Sequence, residues 1–136
     1  MHNFDLIEPD EEVYANFSGR FAAYNSAHST WELKSYSYVL YNQSTIIAGG
    51  RGIINMGALE VRGLWVDDSH RNQGIGKKLM ESIENEAIKR GARRAMLYTY
   101  SWQAQGFYEN IGYEVFSRFK YPDGPERIDM QKELSQ

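Results

Sequence analysis

Residues 71–76 read Arg71-Asn72-Gln73-Gly74-Ile75-Gly76, between an apolar run, Leu64-Trp65-Val66, and a helical stretch that opens with Lys77-Lys78-Leu79-Met80. The first N–H groups of a helix have no partner within it and carry the positive end of its dipole. Small residues at Gly74 and Gly76 let a ligand approach the backbone there, so Arg-x-x-Gly-x-Gly at a strand-to-helix turn suits a pyrophosphate. A Walker-type loop needs Lys and then Ser or Thr after its last glycine; here Lys77-Lys78 follow and no hydroxyl is available for magnesium. A dinucleotide fingerprint needs Gly-x-Gly-x-x-Gly near the start of a βαβ unit, with an acid about 20 residues on. Neither fits. The glycine motif alone leaves open a plain helix start with no ligand.

A second block follows: Ala104-Gln105-Gly106-Phe107-Tyr108-Glu109-Asn110-Ile111-Gly112-Tyr113. With Leu64-Trp65-Val66 and Arg71-x-x-Gly74-x-Gly76, it resembles the GNAT superfamily of N-acetyltransferases, whose acetyl-coenzyme A motif precedes an Ala-x-x-aromatic-Tyr-x-x-x-Gly-aromatic segment. The resemblance is strong over residues 58–120 and reaches the flanks only through the order of elements. It implies transfer of acetyl from acetyl-CoA to a primary amine of a small molecule, or to a peptide lysine or N-terminus. Attack would be direct, in a ternary complex, with no metal. The rival reading is a regulatory module that holds an acyl-CoA without turnover. Such a module would be free to lose Tyr108 and Glu60, and both are present.

The same resemblance assigns residues. Leu64, Trp65, Val66, Arg71, Asn72, Gln73, Gly74, Ile75, Gly76, Lys77, Ser101 and Tyr108 are the expected coenzyme contacts. The pyrophosphate would lie on the backbone of residues 72–77, and the pantetheine arm would pair with Leu64 to Val66. Ser101 stands where many relatives carry an asparagine and keeps one hydroxyl donor. Tyr108 matches the general acid that protonates the departing thiolate, against the alternative that it packs beside Phe107. Glu60 matches the glutamate base of one branch of the family, against a structural ion pair with Arg62 or Arg51. Tyr24, Trp31, Tyr36 and Tyr38 are candidates for an acceptor pocket or for the core. Lys77 or Lys78 could meet a phosphate, as could Arg90, Arg93 and Arg94.

The composition fits an enzyme domain. A chain of 136 residues with 42% hydrophobic residues suits one domain, which buries roughly 68% of its unfolded surface at this size. A net charge of −3 argues against a general nucleic-acid binder, and the acidic balance mildly favours a cationic acceptor. There is no cysteine, so disulfides, thiolate metal sites and an acyl-cysteine intermediate are excluded. His2, His28 and His70 show no metal-ligand spacing. No apolar run is long enough for a membrane span, and the N-terminus lacks the pattern of a signal peptide, so a cytoplasmic protein is expected, with a homodimer left open.

The elements that must position these residues follow from periodicity. Residues 2–7 read as a short edge strand, and Pro9-Asp10-Glu11-Glu12 as a helix start. Val13, Phe17 and Phe21 recur at helical spacing to about Ala27. Relatives usually carry two helices here; Ser29-Thr30-Trp31 leaves room for one. Strands are expected at 36–41 and 45–54 as a hairpin around Asn42-Gln43-Ser44, then at 58–67 after a turn at Asn55-Met56-Gly57. A long helix from Gly74 should bury Ile75, Leu79, Ile83 and Ala87 or Ile88, with Gly91 as its left-handed cap. A strand at 94–100, a short helix at 102–111 and strands at 113–120 and 127–133 complete the chain. The expected fold is α/β: a mostly antiparallel mixed sheet of six to seven strands with helices on both faces, to which the GNAT resemblance adds a V-shaped splay between strands 58–67 and 94–100.

Overall fold

Asp10 opens the first helix by accepting a hydrogen bond from the Val13 N–H at 2.8 Å, and the helix α1 runs Glu11–His28 with Glu11 and Glu12 in its first turn. The computed structural model describes residues 4–28 and 32–134. They divide into two units, Met1–Glu32 and Leu33–Gln136. In the first unit, Phe17 and Phe21 stack one helical turn apart and His28 Nδ1 lies 3.0 Å from the Tyr24 carbonyl. Residues 4–10 carry no regular structure, so the strand expected over 2–7 is not formed at 4–7. A short apolar alternation is a weak strand signal, because strand preference depends on context. Residues 2 and 3, and Ser29, Thr30 and Trp31 with the expectations attached to them, lie outside the described residues.

The second unit is a six-stranded mixed sheet flanked by helices. Its elements are β1 (Lys34–Asn42), β2 (Thr45–Asn55), β3 (Ala58–Val66), α2 (Ile75–Lys89), β4 (Arg94–Tyr100), α3 (Gln105–Asn110), β5 (Glu114–Lys120) and β6 (Glu126–Glu133). The strand order is β1-β2-β3-β4-β6-β5. β1, β2 and β3 form an antiparallel meander, closed between β2 and β3 by Met56 and Gly57, both left-handed at φ +52° and +80°. The α2 crossover makes β4 parallel to β3, and β6 returns between β4 and β5.

One core cluster holds this unit together. Strand alternation turns Leu59 and Val61 of β3, Ala95 and Leu97 of β4, and Ile128 and Met130 of β6 inward, against Leu79, Met80, Ile83 and Ala87 of α2. Each fully buried Leu, Ile or Met side chain contributes about 1.5–3 kcal/mol. Ile75 and Ile88, expected on this face, are partly buried against the cluster. Tyr36 ties β1 to α2 by donating its hydroxyl to the Ile83 carbonyl, under the Arg90 guanidinium at 4.6 Å. Burial pushes its pKa up to about 12.

Candidate active site

The parallel pairing of β3 and β4 covers three residue pairs, Ala58↔Arg94, Leu59↔Ala95 and Glu60↔Met96. Beyond Glu60 the strands part, while β4 stays paired with β6 to Tyr100. Gly63 accounts for the departure. Between the pairs Arg51↔Arg62 and Gly49↔Trp65, β2 advances two residues and β3 three, so β3 carries one extra residue, with Gly63 left-handed at φ +66°. Such a bulge bends its strand and reverses which side chains face inward. Before it, Leu59 and Val61 face the core; after it, Leu64 and Val66 do, and Trp65 is half exposed. The GNAT resemblance implies the splay but not this bulge, because the extra residue shows only in register against β2.

A cavity of about 1090 Å³ fills the opening. Its walls are residues 61–66 of β3, the turn and first residues of α2, the end of β4, and the start of α3 with Phe107 and Tyr108. Of the expected coenzyme contacts, Leu64, Trp65, Val66, Arg71, Asn72, Gly74, Ile75, Gly76, Lys77 and Tyr108 line it; Gln73 and Ser101 do not. Sequence reasoning missed Val61, Arg62, Gly63, His70, Tyr98, Thr99, Tyr100, Trp102, Gln103, Ala104 and Phe107 as lining residues, although Tyr98, Tyr100 and Trp102 show as alternating aromatics. Among the described residues of the lining there is no carboxylate, whereas Arg62, Arg71 and Lys77 are cationic. That suits an extended anion.

At the start of α2, Gly74 is the N-cap at φ +76°, and no side chain caps the helix. The first intrahelical bond runs from the Lys78 N–H to the Gly74 carbonyl at 3.1 Å, leaving the N–H groups of Ile75, Gly76 and Lys77 toward the cavity side. A Cβ at Gly74 would meet nothing within 4 Å, whereas one at Gly76 would lie 3.2 Å from Phe107 Cζ. Gly74 therefore keeps its approach open, and Gly76 is small because Phe107 packs on it. Arg71 braces the turn: its Nε donates to the Val66 carbonyl at 3.1 Å and its Nη1 lies 2.8 Å from Asp68. In the same turn Asp67 accepts from the Ser69 N–H at 3.3 Å and from the Ser69 hydroxyl, with His70 Nδ1 at 3.4 Å. These bonds hold the Asp67 pKa below the ordinary carboxylate value.

Tyr108 is buried, with its ring edge-on to Phe107 and to Tyr113. Among the described residues its hydroxyl makes no hydrogen bond, and every fully enclosed side-chain polar atom does have a partner. The hydroxyl is thus open to the cavity that Tyr108 lines, and burial raises its pKa. Behind it lies a closed polar network. Buried Glu84 of α2 accepts from the Tyr113 hydroxyl at 2.7 Å and from Lys132 Nζ at 2.8 Å. Burial and that carboxylate push Tyr113 far up.

The remaining candidates lie elsewhere. Glu60 forms an ion pair with Arg62 Nε and is outside the cavity lining. The Ser101 hydroxyl accepts from the Glu126 N–H at 3.2 Å, bracketing the start of β6, while Gln103 reaches the lining and accepts from Thr99 Oγ1 and the Tyr100 N–H. Tyr36 and Tyr38 pack in a T shape, and neither lines the cavity. Arg90 pairs with Glu86 and Arg94 with Glu133, and Arg93 covers Gly57. None of these three arginines lines the cavity. Among the described residues no group of His, Asp and Glu could hold a metal ion, and no helix is long and apolar enough to cross a membrane.

Comparison with protein families matches residues 6–134 to the acetyltransferase (GNAT) domain. The chain belongs to the GNAT acetyltransferases. It is 31% identical over 105 residues to blasticidin-S acetyltransferase of Streptomyces morookaense, covering 75% of this chain and 77% of that protein. The crystal structure of an acetyltransferase from Bacillus cereus matches with a TM-score of 0.87 at 26% identity, over 96% of this chain and 98% of that one. The fold is also that of an aminoglycoside 6'-N-acetyltransferase complexed with coenzyme A, at TM-score 0.66 and 20% identity, over 75% of this chain and 74% of that one. Membership of this GNAT family makes the protein an acetyltransferase that draws on acetyl-CoA.

Proposed function

We propose that this GNAT protein acetylates a primary amine by direct attack within a ternary complex. The amine is carried by a small molecule, or by a peptide as a lysine or N-terminus. The observation that carries the reading is one cavity joining an uncapped helix start to the free hydroxyl of Tyr108. The N–H groups of residues 75–77, with Lys77, would hold the pyrophosphate, and the β3 edge at Leu64 to Val66 would hold the pantetheine arm. Acetyl-CoA supplies a thioester carbonyl with a thiolate leaving group.

In the reaction the amine nitrogen bonds to the carbonyl carbon, the C–S bond breaks, and the nitrogen gives up a proton. Tyr108 donates its proton to the departing sulfur. Its raised pKa keeps it protonated at neutral pH, and a thiolate, whose thiol has a pKa near about 8.5, needs that proton. With no cysteine in the chain, an acyl-cysteine stage is excluded. In this reading Glu60 takes the amine's proton through a water, since it stands outside the cavity lining.

Acetyl-CoA incubated with a panel of primary amines, with free thiol followed, tests the reading. Saturable thiol release dependent on the amine is expected. Tight acetyl-CoA binding without turnover on any amine would instead favour the regulatory module. Glu60→Gln should slow turnover most at low pH, where free amine is scarce, and recover as pH approaches the amine's own pKa. A stable variant with the parent's pH–rate curve would leave water as the base.

A further inference from the structure

The cavity has a second wall that the transfer chemistry does not use. At the end of β4, Tyr98 and Tyr100 stand on the sheet face away from the core, next to Trp102, and all three line the cavity. Tyr100 and Trp102 are stacked, with centroids 4.7 Å apart and planes 8° from parallel. Tyr121 and Phe119 extend the surface beyond Tyr100, at 6.2 Å from Tyr100 to Tyr121 and 5.0 Å from Tyr121 to Phe119. Arg127 covers the Tyr98 ring at 4.0 Å. Trp102 is different: one face lies on Tyr100, yet the residue is 65% exposed, so the other face of the indole is open.

Charge does not select a ligand at this wall. The carboxylates around it are already taken: Glu60 by Arg62, Asp129 by Arg127 at 3.1 Å, and Glu126 by Arg118 at 2.7 Å. The cationic acceptor suggested by the overall acidic balance finds no free carboxylate in the lining. What the wall offers is a flat, polarisable surface with one vacant stacking position.

We infer that this wall is the acceptor subsite and that it selects amines carrying a flat aromatic or heteroaromatic ring, which stacks on the open face of Trp102. The inference rests on the acetyl-transfer reading above and names the substrate class for it. Ring stacking positions the amine without an ion pair, so the nitrogen is free to lose its proton before attack.

Two probes of equal carbon count separate a flat ring from a saturated one: 2-phenylethylamine and 2-cyclohexylethylamine. The parent protein should favour the aromatic amine in kcat/KM. Trp102→Ala should reduce that preference about tenfold, and Trp102→Phe should keep most of it. Comparing the ratio between variants cancels the difference in amine basicity. An unchanged ratio in Trp102→Ala, or a parent preference for the saturated ring, overturns the proposal. If neither amine turns over while acetyl-CoA binds, the amine panel above decides the transfer reading separately. Calorimetric titration of both amines into the CoA-saturated protein and its Trp102 variants then decides the subsite: aromatic-selective binding lost in Trp102→Ala upholds it, and its absence overturns it.

Discussion

At the C-terminal end of α2, the Gly91 N–H donates to the Ile88 carbonyl at 3.0 Å and the Ala92 N–H to the Ala87 carbonyl at 2.9 Å. Gly91 is left-handed at φ +93°, and Ala87 and Ala92 are fully buried together. This is the two-bond glycine closure that satisfies a helix's last carbonyls. At the other end Gly74 is also left-handed, yet no side chain answers the first N–H groups, and they line a cavity. Midway, Glu84 is enclosed and doubly bonded. One helix thus satisfies its polar groups wherever water is excluded and leaves them unmet only where a ligand can enter. An unmet group is informative because its neighbours are met so completely.

The closed part of the helix should break by stability and the open part by binding or rate. The largest effect is expected at Glu84. Glu84→Ala leaves the buried Tyr113 hydroxyl and the part-buried Lys132 without their acceptor, a loss of up to about 3 kcal/mol. Denaturant melts should show that loss, while the folded fraction binds acetyl-CoA as the parent does. Tyr108 straddles the two parts, its ring in the closed region and its hydroxyl in the open one. Tyr108→Phe should therefore cut kcat about 100-fold with an unchanged melting curve and unchanged acetyl-CoA affinity. Full activity in that variant would return Tyr108 to a packing role.

The sharpest test pairs the two glycines. Both are left-handed, and a Cβ at either would meet nothing within 4 Å. Gly74→Val and Gly91→Val should each cost roughly 1–2 kcal/mol of backbone strain. Only Gly74→Val should also weaken acetyl-CoA binding, by about tenfold or more, as read by calorimetry. Equal affinities in the two variants would remove the pyrophosphate from this turn. The smallest effect is at Asp67, whose depressed pKa means it stabilises the turn above the ordinary carboxylate pKa, near about 4. Asp67→Asn should lower the melting temperature slightly at pH 7. The gap to the parent should close as acid protonates the parent's Asp67 through its folded pKa.

How much of this was readable depended on how local the cause was. β3, the glycine turn and α2 are punctuated within one stretch, so their bounds and the Gly91 cap follow from the sequence. Gly63 is silent there, since a bulge exists only relative to the neighbouring strand. Ser101 is a coenzyme candidate only through the family resemblance, and β6, arriving from 25 residues away, claims its hydroxyl. The aromatic wall stayed hidden for the same reason: alternation shows Tyr98 and Tyr100 sharing a face, and only the insertion of β6 puts Arg127 over one of them. The stretch 4–7 errs in the opposite direction: its alternation reads as a strand, yet it carries no regular structure.

The contact between Gly76 and Phe107 has a mechanical consequence. Phe107 precedes Tyr108 on α3, and its ring rests where a side chain at position 76 would stand. The glycine that looks like a ligand's clearance is a bearing surface between two helices. Through it, the backbone that would grip one end of the cofactor and the hydroxyl that would meet its other end are joined by one packing contact, a gauge between the two. Its length is set by how closely an aromatic ring can settle onto a bare backbone.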